Sequence, residues 1–253
     1  MADSAQAQEE AAPAVDSLRM SSFGNAPPSE ELAPAVPGEA RDVQPGREEL
    51  VMLSNPRSAV AEQFRRLRNS IQAMNPDGAS RVVLLTSAVD GEGKSVSTLN
   101  LGLAITELPH MRVCVIDANL VNPALEELLD LPRRQGMSEV LKGKLSLEAA
   151  TRATSIERFD IIGAGAAADD FSLNVDRMRS LLNALKRQYD YVLIDAPSVL
   201  SANQPSLLAS IADGILLVVR MGKTSKQEVE EAFTMLEGLG GNVLGTCATS
   251  VEG

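Results

Sequence analysis

The sequence predicts an α/β fold: a mostly parallel sheet with helices on both faces. Three observations carry that expectation. Short apolar runs alternate with longer segments of helical periodicity. A glycine-rich turn, Gly91-Glu92-Gly93-Lys94-Ser95, joins one such run to a helix-like segment. Two further runs end in aspartate, Val113-Cys114-Val115-Ile116-Asp117 and Tyr191-Val192-Leu193-Ile194-Asp195.

In chain order, residues 1–48 are rich in Ala, Pro, Ser and Glu and have no periodic apolar face. Such a stretch cannot bury enough apolar surface to offset its ordering entropy, so a disordered acidic arm is expected there, and a single folded domain over 49–253. Within 59–74, Val60, Phe64, Leu67 and Ile71 recur at helical spacing while Glu62, Arg65, Arg66 and Arg68 take other faces. This predicts an amphipathic helix with a basic exposed side. The turn signal Asn75-Pro76-Asp77-Gly78 follows. Strands are then expected at 82–85, 113–116, 160–162, 191–194, 214–219 and 243–248, and helices at 94–107, 175–188, 205–212 and 225–239. No internal repeat is visible.

Composition removes several function classes. The formal net charge of −11 repels polyanions, and only 3% of residues are aromatic, so binding to nucleic acid is not expected. The core must come from Val, Ile, Leu and Ala. Both cysteines, Cys114 and Cys247, sit in apolar runs that read as buried strands, which suits a reduced cytoplasm better than a disulfide framework. The N-terminus lacks the pattern of a signal peptide and no run approaches a membrane span, so a membrane role is expected only through a partner.

The chemistry concentrates at the glycine-rich turn. Backbone N–H groups over Asp90, Gly91, Glu92, Gly93, Lys94, Ser95 and Val96 suit a nucleotide's phosphates, and the following helix N-terminus adds positive potential. Lys94 would reach the β and γ oxygens and Ser95 would hold Mg²⁺, as in a P-loop NTPase that binds ATP. Ala88 stands where the usual pattern begins with glycine. Parallel strands aim their C-terminal ends at one crevice, so Asp117 and Asp195 are expected beside this loop. There Asp195 would serve Mg²⁺, and Asp117 would serve the metal or an attacking hydroxyl. Read singly, an aspartate after a strand is as readily a cap for the next turn.

Taken together, the chain resembles the bacterial tyrosine kinases of capsular and extracellular polysaccharide synthesis, the BY-kinases, over most of 58–249. The resemblance rests on Glu62-Gln63-Phe64-Arg65-Arg66-Leu67-Arg68, the 91–95 loop, Ile116-Asp117-Ala118, and Gly136-Met137-Ser138-Glu139-Val140-Leu141-Lys142-Gly143. It continues in Tyr189-Asp190-Tyr191-Val192-Leu193-Ile194-Asp195-Ala196-Pro197 and Leu217-Val218-Val219-Arg220. It implies MgATP-dependent phosphorylation of tyrosine with Lys94, Asp117 and Asp195 as catalytic residues. It also implies homo-oligomerisation through Glu62, Arg65 and Arg68, and activation by a membrane polysaccharide co-polymerase that recruits the protein to the inner face of the membrane.

The chain departs from the family pattern at several places. Asn119 stands where a second aspartate is common, Thr249 where an asparagine often reads adenine, and 164–174 lacks a proline-rich stretch. No tyrosine follows Tyr191, so the acceptor tyrosine is expected on another protein. Two other function classes stay open: a nucleotide-gated regulatory partner that transfers no phosphate, and a protein-positioning ATPase. Val89 disfavours the latter, whose members carry a second lysine at that position. Of the remaining residues, His110 reads as an exposed loop residue, and Tyr189 and Tyr191 as structural. Arg133-Arg134 reads either as a solvated pair or as a contact to phosphate or a neighbouring subunit.

Overall fold

Seven strands make one sheet in the computed structural model, which describes residues 47–166, 174–202 and 204–249. They are β1 (Arg81–Ser87), β2 (Val113–Asp117), β3 (Arg152–Ala153), β4 (Phe159–Ile162), β5 (Tyr191–Asp195), β6 (Gly214–Arg220) and β7 (Val243–Thr249). Their spatial order is β3-β4-β2-β5-β1-β6-β7. Every pairing is parallel except that of β3 with β4. The arm expected over 1–48 lies outside the described residues apart from Arg47 and Glu48, and Arg47 already pairs with Glu127 at 3.0 Å.

Alternation along the strands builds two cores. Val82, Leu84, Cys114, Ile116, Val192 and Ile194 face one side, and Val83, Leu85, Val113, Val115 and Leu193 the other. A sheet buried on both faces needs continuous apolar strands, which is why these runs carry no polar residue until their ends. With few aromatics available, close approach replaces bulk. At Gly102 a Cβ would lie 2.8 Å from the Phe159 ring, so a helix can press directly on β2 and β4.

Nine helices flank the described sheet: α1 (Val51–Ser54), α2 (Ala59–Ala73), α3 (Lys94–Thr106), α4 (Leu125–Leu128), α5 (Met137–Lys142), α6 (Leu147–Ala150), α7 (Val175–Leu185), α8 (Gln204–Ala209) and α9 (Lys226–Gly238). The five helices expected from periodicity are present as α2, α3, α7, α8 and α9, their ends shifted by a few residues and α8 cut to six. Side-chain caps define their starts: Ser58 for α2, Asn174 for α7, and Ser225 with Glu228 as a capping box for α9. The short α1, α4, α5 and α6 and the two-residue β3 were not expected, because fewer than two turns show no period.

Two expectations need correction. Cys114 is buried but Cys247 is only half-buried, because β7 is the sheet's edge strand. Arg134 is buried and Arg133 half-buried, so the pair is not solvated. His110 is exposed, and Tyr189 and Tyr191 are buried structural residues. Among the described residues no helix is long and apolar enough to cross a membrane.

Asn100, fully buried in α3, holds the N-terminal segment in place. Its Nδ2 donates to Glu49 O at 2.8 Å and Val96 O at 2.9 Å, and its Oδ1 accepts from Met52 N at 3.0 Å. Asn100→Ala strands these main-chain groups out of water, at about 1–3 kcal/mol for each group left unsatisfied. The expected loss of stability is therefore about 2–4 kcal/mol, read from urea unfolding.

Candidate functional site

Strands β1, β2 and β5 lie side by side, so their carboxyl ends open onto a common crevice. The register places Asp195 opposite both Leu85 of β1 and Asp117 of β2. The loop after β1, Asp117 and Asp195, expected side by side from the sequence, lie at this one end of the sheet.

The loop turns on two glycines with left-handed backbone, Gly91 at φ 79° and Gly93 at φ 86°, a region costly for other residues. Gly93 occupies the N-cap of α3, so Lys94 and Ser95 begin the helix, with Val96 in its first turn. The Lys94 side chain is only 7% exposed, and its ammonium lies 3.5 Å from Asp90 Oδ1. Glu92 is turned away from the crevice and buried. Its carboxylate accepts from Val89 N at 3.2 Å, from Arg220 N at 3.1 Å and from the Thr224 hydroxyl. Thr249 Oγ1 donates to Glu92 O at 2.8 Å and Arg220 to Gly91 O at 3.2 Å. Glu92 thus braces the loop against the ends of β6 and β7. No sequence signal distinguished this carboxylate from the rest of the loop.

Asp195 and Asp117 are each 1% exposed. Ser95 Oγ donates to Asp195 Oδ2 at 2.5 Å, while Asp195 Oδ1 is buried and has no partner among the described residues. Asp117 is better satisfied: Oδ1 accepts from Asn119 N at 3.0 Å, and Oδ2 from Ala124 N at 3.0 Å and Leu125 N at 3.1 Å. Asp117 is thus both a cap for the turn after β2 and a member of the site. Burial raises the pKa of both carboxyls above the ordinary range. For Asp195 the neighbouring Asp117 charge raises it further, against the opposing pull of Ser95 and Lys94. Two adjacent buried acids, one with an orphaned oxygen next to a serine hydroxyl, fit a divalent cation. Among the described residues no three His, Cys, Asp or Glu side chains converge on one point. A cation here would therefore take its remaining ligands from phosphate and water, the usual manner of Mg²⁺.

Beyond Asp117 lies a charged group that sequence reasoning missed. Glu126 is buried, and burial pushes its carboxyl up to about 7 while Arg152, 3.7 Å away, pulls it down. Arg133 donates to Gly165 O at 3.1 Å, and its charge favours the ionised forms of both Asp117 and Glu126. In sequence nothing set Glu126 apart from its neighbour Glu127. Asn119 presents no acid to the site. Its Oδ1 accepts from Asn122 N at 3.2 Å, closing a local turn.

Away from the crevice, Glu62, Arg65 and Arg68 share one end of the α2–α3 surface. Arg65 grips Glu107 through Nε at 2.8 Å and NH2 at 2.6 Å, and Arg68 reaches Ala104 O at 2.8 Å and Glu107 at 3.2 Å. Glu62 is held more loosely, 3.6 Å from Arg65. The partner Glu107 was not foreseen. Between α2 and the phosphate loop lies a cavity of about 860 Å³ lined by Val60, Phe64, Leu67, Gly93, Cys247 and Thr249 among others.

No family profile matches the chain. It is 30% identical over 198 residues to "Tyrosine-protein kinase YwqD" of Bacillus subtilis, covering 78% of this chain and 83% of that one. It is 28% identical over 207 residues to "Succinoglycan biosynthesis transport protein ExoP" of Rhizobium meliloti, covering 80% of this chain and 26% of that one. Among solved structures, "The kinase domain of Escherichia coli tyrosine kinase ETK" superposes with a TM-score of 0.76 at 28% identity, over 80% of each chain. The septum site-determining protein MinD of Pyrococcus horikoshii, complexed with Mg-ADP, superposes with a TM-score of 0.57 at 25% identity, over 66% of this chain and 69% of that one.

The acid pair has a measurable cost in the free protein. Because both folded-state values are raised above those of the unfolded chain, the pair's contribution is most favourable at low pH and is lost as pH rises through the raised values. Asp195→Asn removes one charge and keeps an acceptor for Ser95. The variant without nucleotide should melt above the parent at pH 7.5, and the gap should close toward pH 5 in thermal scans.

Proposed function

Because the chain belongs to the bacterial tyrosine-protein kinase family, we propose that it binds MgATP at the 88–96 loop and passes the γ-phosphoryl group to a tyrosine of another protein. The observation that carries this reading is the constellation Lys94, Ser95, Asp195 and Asp117 at the mouth of three parallel strands. Lys94 is placed to meet the β and γ oxygens. Ser95 and Asp195, with the unpartnered Oδ1, would hold Mg²⁺, which when bound offsets the charge of the phosphates. Asp117 faces the acceptor. Its raised affinity for a proton suits it to take the tyrosine hydroxyl's proton as the oxygen bonds to phosphorus and ADP departs. The cavity beside Gly93 and Thr249 is the site we assign to the base and ribose.

Both tyrosines of the chain are buried, Tyr189 at 5% and Tyr191 at 4% exposure, and Tyr191 begins β5. The acceptor is therefore sought outside these 253 residues. The likeness to ExoP supports a place in polysaccharide polymerisation and export. There a membrane co-polymerase would recruit the protein to the inner face of the membrane and activate it. Self-association through Glu62, Arg65 and Arg68 would bring copies together, with the loosely held Glu62 free to meet a neighbour's arginine. A regulatory, non-transferring role is the second reading, favoured by the amide at Asn119 being tied to its own turn.

Incubation with MgATP and the cytoplasmic part of the co-polymerase, followed by phosphotyrosine detection, separates the two. The kinase reading expects labelling that falls about 100-fold or more in Lys94→Ala and Asp117→Asn, the scale of losing a phosphate anchor or a general base. Equal signal from all three proteins would sink it, and ATP binding without label would favour the regulatory role. For assembly, Glu62→Arg should sediment as a smaller species than the parent while its melting temperature is unchanged. An unaltered sedimentation profile would remove this surface from the contact.

A further inference from the structure

We propose that Asp90 is a specificity-determining residue of the phosphate loop: a fixed anion beside Lys94 that weakens binding of a nucleoside triphosphate more than of a diphosphate. The inference rests on the reading that the 88–96 loop binds nucleotide. Lys94 is nearly buried, and the ion pair its ammonium makes is with Asp90 Oδ1 at 3.5 Å. The same oxygen accepts from Ser198 Oγ at 2.7 Å. Ser198 is fully buried, in the segment after β5.

That segment is stitched to the phosphate loop along its length. Val199 N donates to Ser87 O at 2.8 Å, Leu200 N to Ala88 O at 3.1 Å, and Thr86 Oγ1 to Pro197 O at 2.7 Å. Asp90 extends this seam. Its carboxylate is oriented by a rigid, buried donor and not by Lys94 alone, although its side chain is 65% exposed. When phosphate oxygens take the lysine, the Ser198 bond keeps the anion near its place. The free loop therefore holds its own cation partly neutralised, and an incoming phosphate must both displace that pairing and sit within Coulomb range of a like charge. ATP carries one more negative charge than ADP, at the γ position that Lys94 serves, so the triphosphate bears the larger penalty.

A purely structural role for Asp90 makes the opposite prediction. If the carboxylate serves only to brace the loop, its removal loosens the cradle and weakens both nucleotides. Calorimetric titration of the full chain with Mg²⁺ and either ADP or the non-hydrolysable β,γ-imido analogue of ATP separates the two through the sign of the change. Asp90→Asn keeps an acceptor for Ser198 and removes the charge. It should tighten the triphosphate analogue by about three- to tenfold and ADP by less, the scale of one partly screened charge, with the gain shrinking as salt is raised. Asp90→Ala should tighten the analogue in the same direction, and parallel thermal melts verify that both variants are folded. Unchanged or weaker analogue binding in Asp90→Asn, or an equal gain for ADP, overturns the inference while leaving nucleotide binding intact. If the parent binds neither nucleotide better than Lys94→Ala does, the nucleotide reading itself falls and takes this inference with it.

Discussion

Two carboxylates placed side by side out of water, Asp117 and Asp195, are the constraint around which the rest of the molecule is arranged. Their pairing follows directly from the parallel register of β2 and β5. Neither acid can be moved without shifting a whole strand. Placing two like charges in a dry crevice is unfavourable in the free protein. The neighbouring residues read as partial answers to that problem. Three main-chain N–H groups converge on Asp117, the Ser95 hydroxyl caps one oxygen of Asp195, and the Lys94 ammonium contributes positive potential. Among the described residues Asp195 Oδ1 has no hydrogen-bond partner, so it carries the uncompensated part of that cost.

The phosphate loop depends on a second buried carboxylate that faces the other way. Glu92 draws donors from Val89, Arg220 and Thr224, so the loop's shape is set by the ends of β6 and β7 as much as by its glycines. Gly91 and Gly93 permit the turn; Glu92 selects it. The segment after β5 holds the opposite side through Val199 N on Ser87 O and Leu200 N on Ala88 O. The loop is held from the β5 side and from the β6–β7 side at once, which is the pre-organisation a phosphate cradle needs.

How much of this was readable in advance follows from length scale. The long helices and the central strands announce themselves because apolar period and burial coincide over many residues, and the acids at 117 and 195 stand out because they interrupt otherwise unbroken apolar runs. Features depending on contacts between distant segments left no such trace. Glu126 looks like one of two equivalent glutamates in a surface turn, yet it is buried next to Arg152 while Glu127 reaches outward to Arg47. Cys247 lies in an apolar run, but an edge strand exposes what a central strand hides. Arg65 and Arg68 could be placed on a helix face from spacing alone. Their hold on Glu107 required knowing that α2 packs along α3.

Asn119 can be understood within the same electrostatic frame. The crevice and its surroundings already hold Asp117, Asp195 and Glu126, all with proton affinity raised by burial. A further carboxylate at position 119 would add repulsion to a group that Arg133, Arg152 and Lys94 help to counterbalance. An amide there retains the acceptor that the turn requires, from Asn122 N, without the charge. The amide therefore spares the free protein a further half-buried charge. Asn119 thus serves its own turn while Asp117 keeps its place beside Asp195.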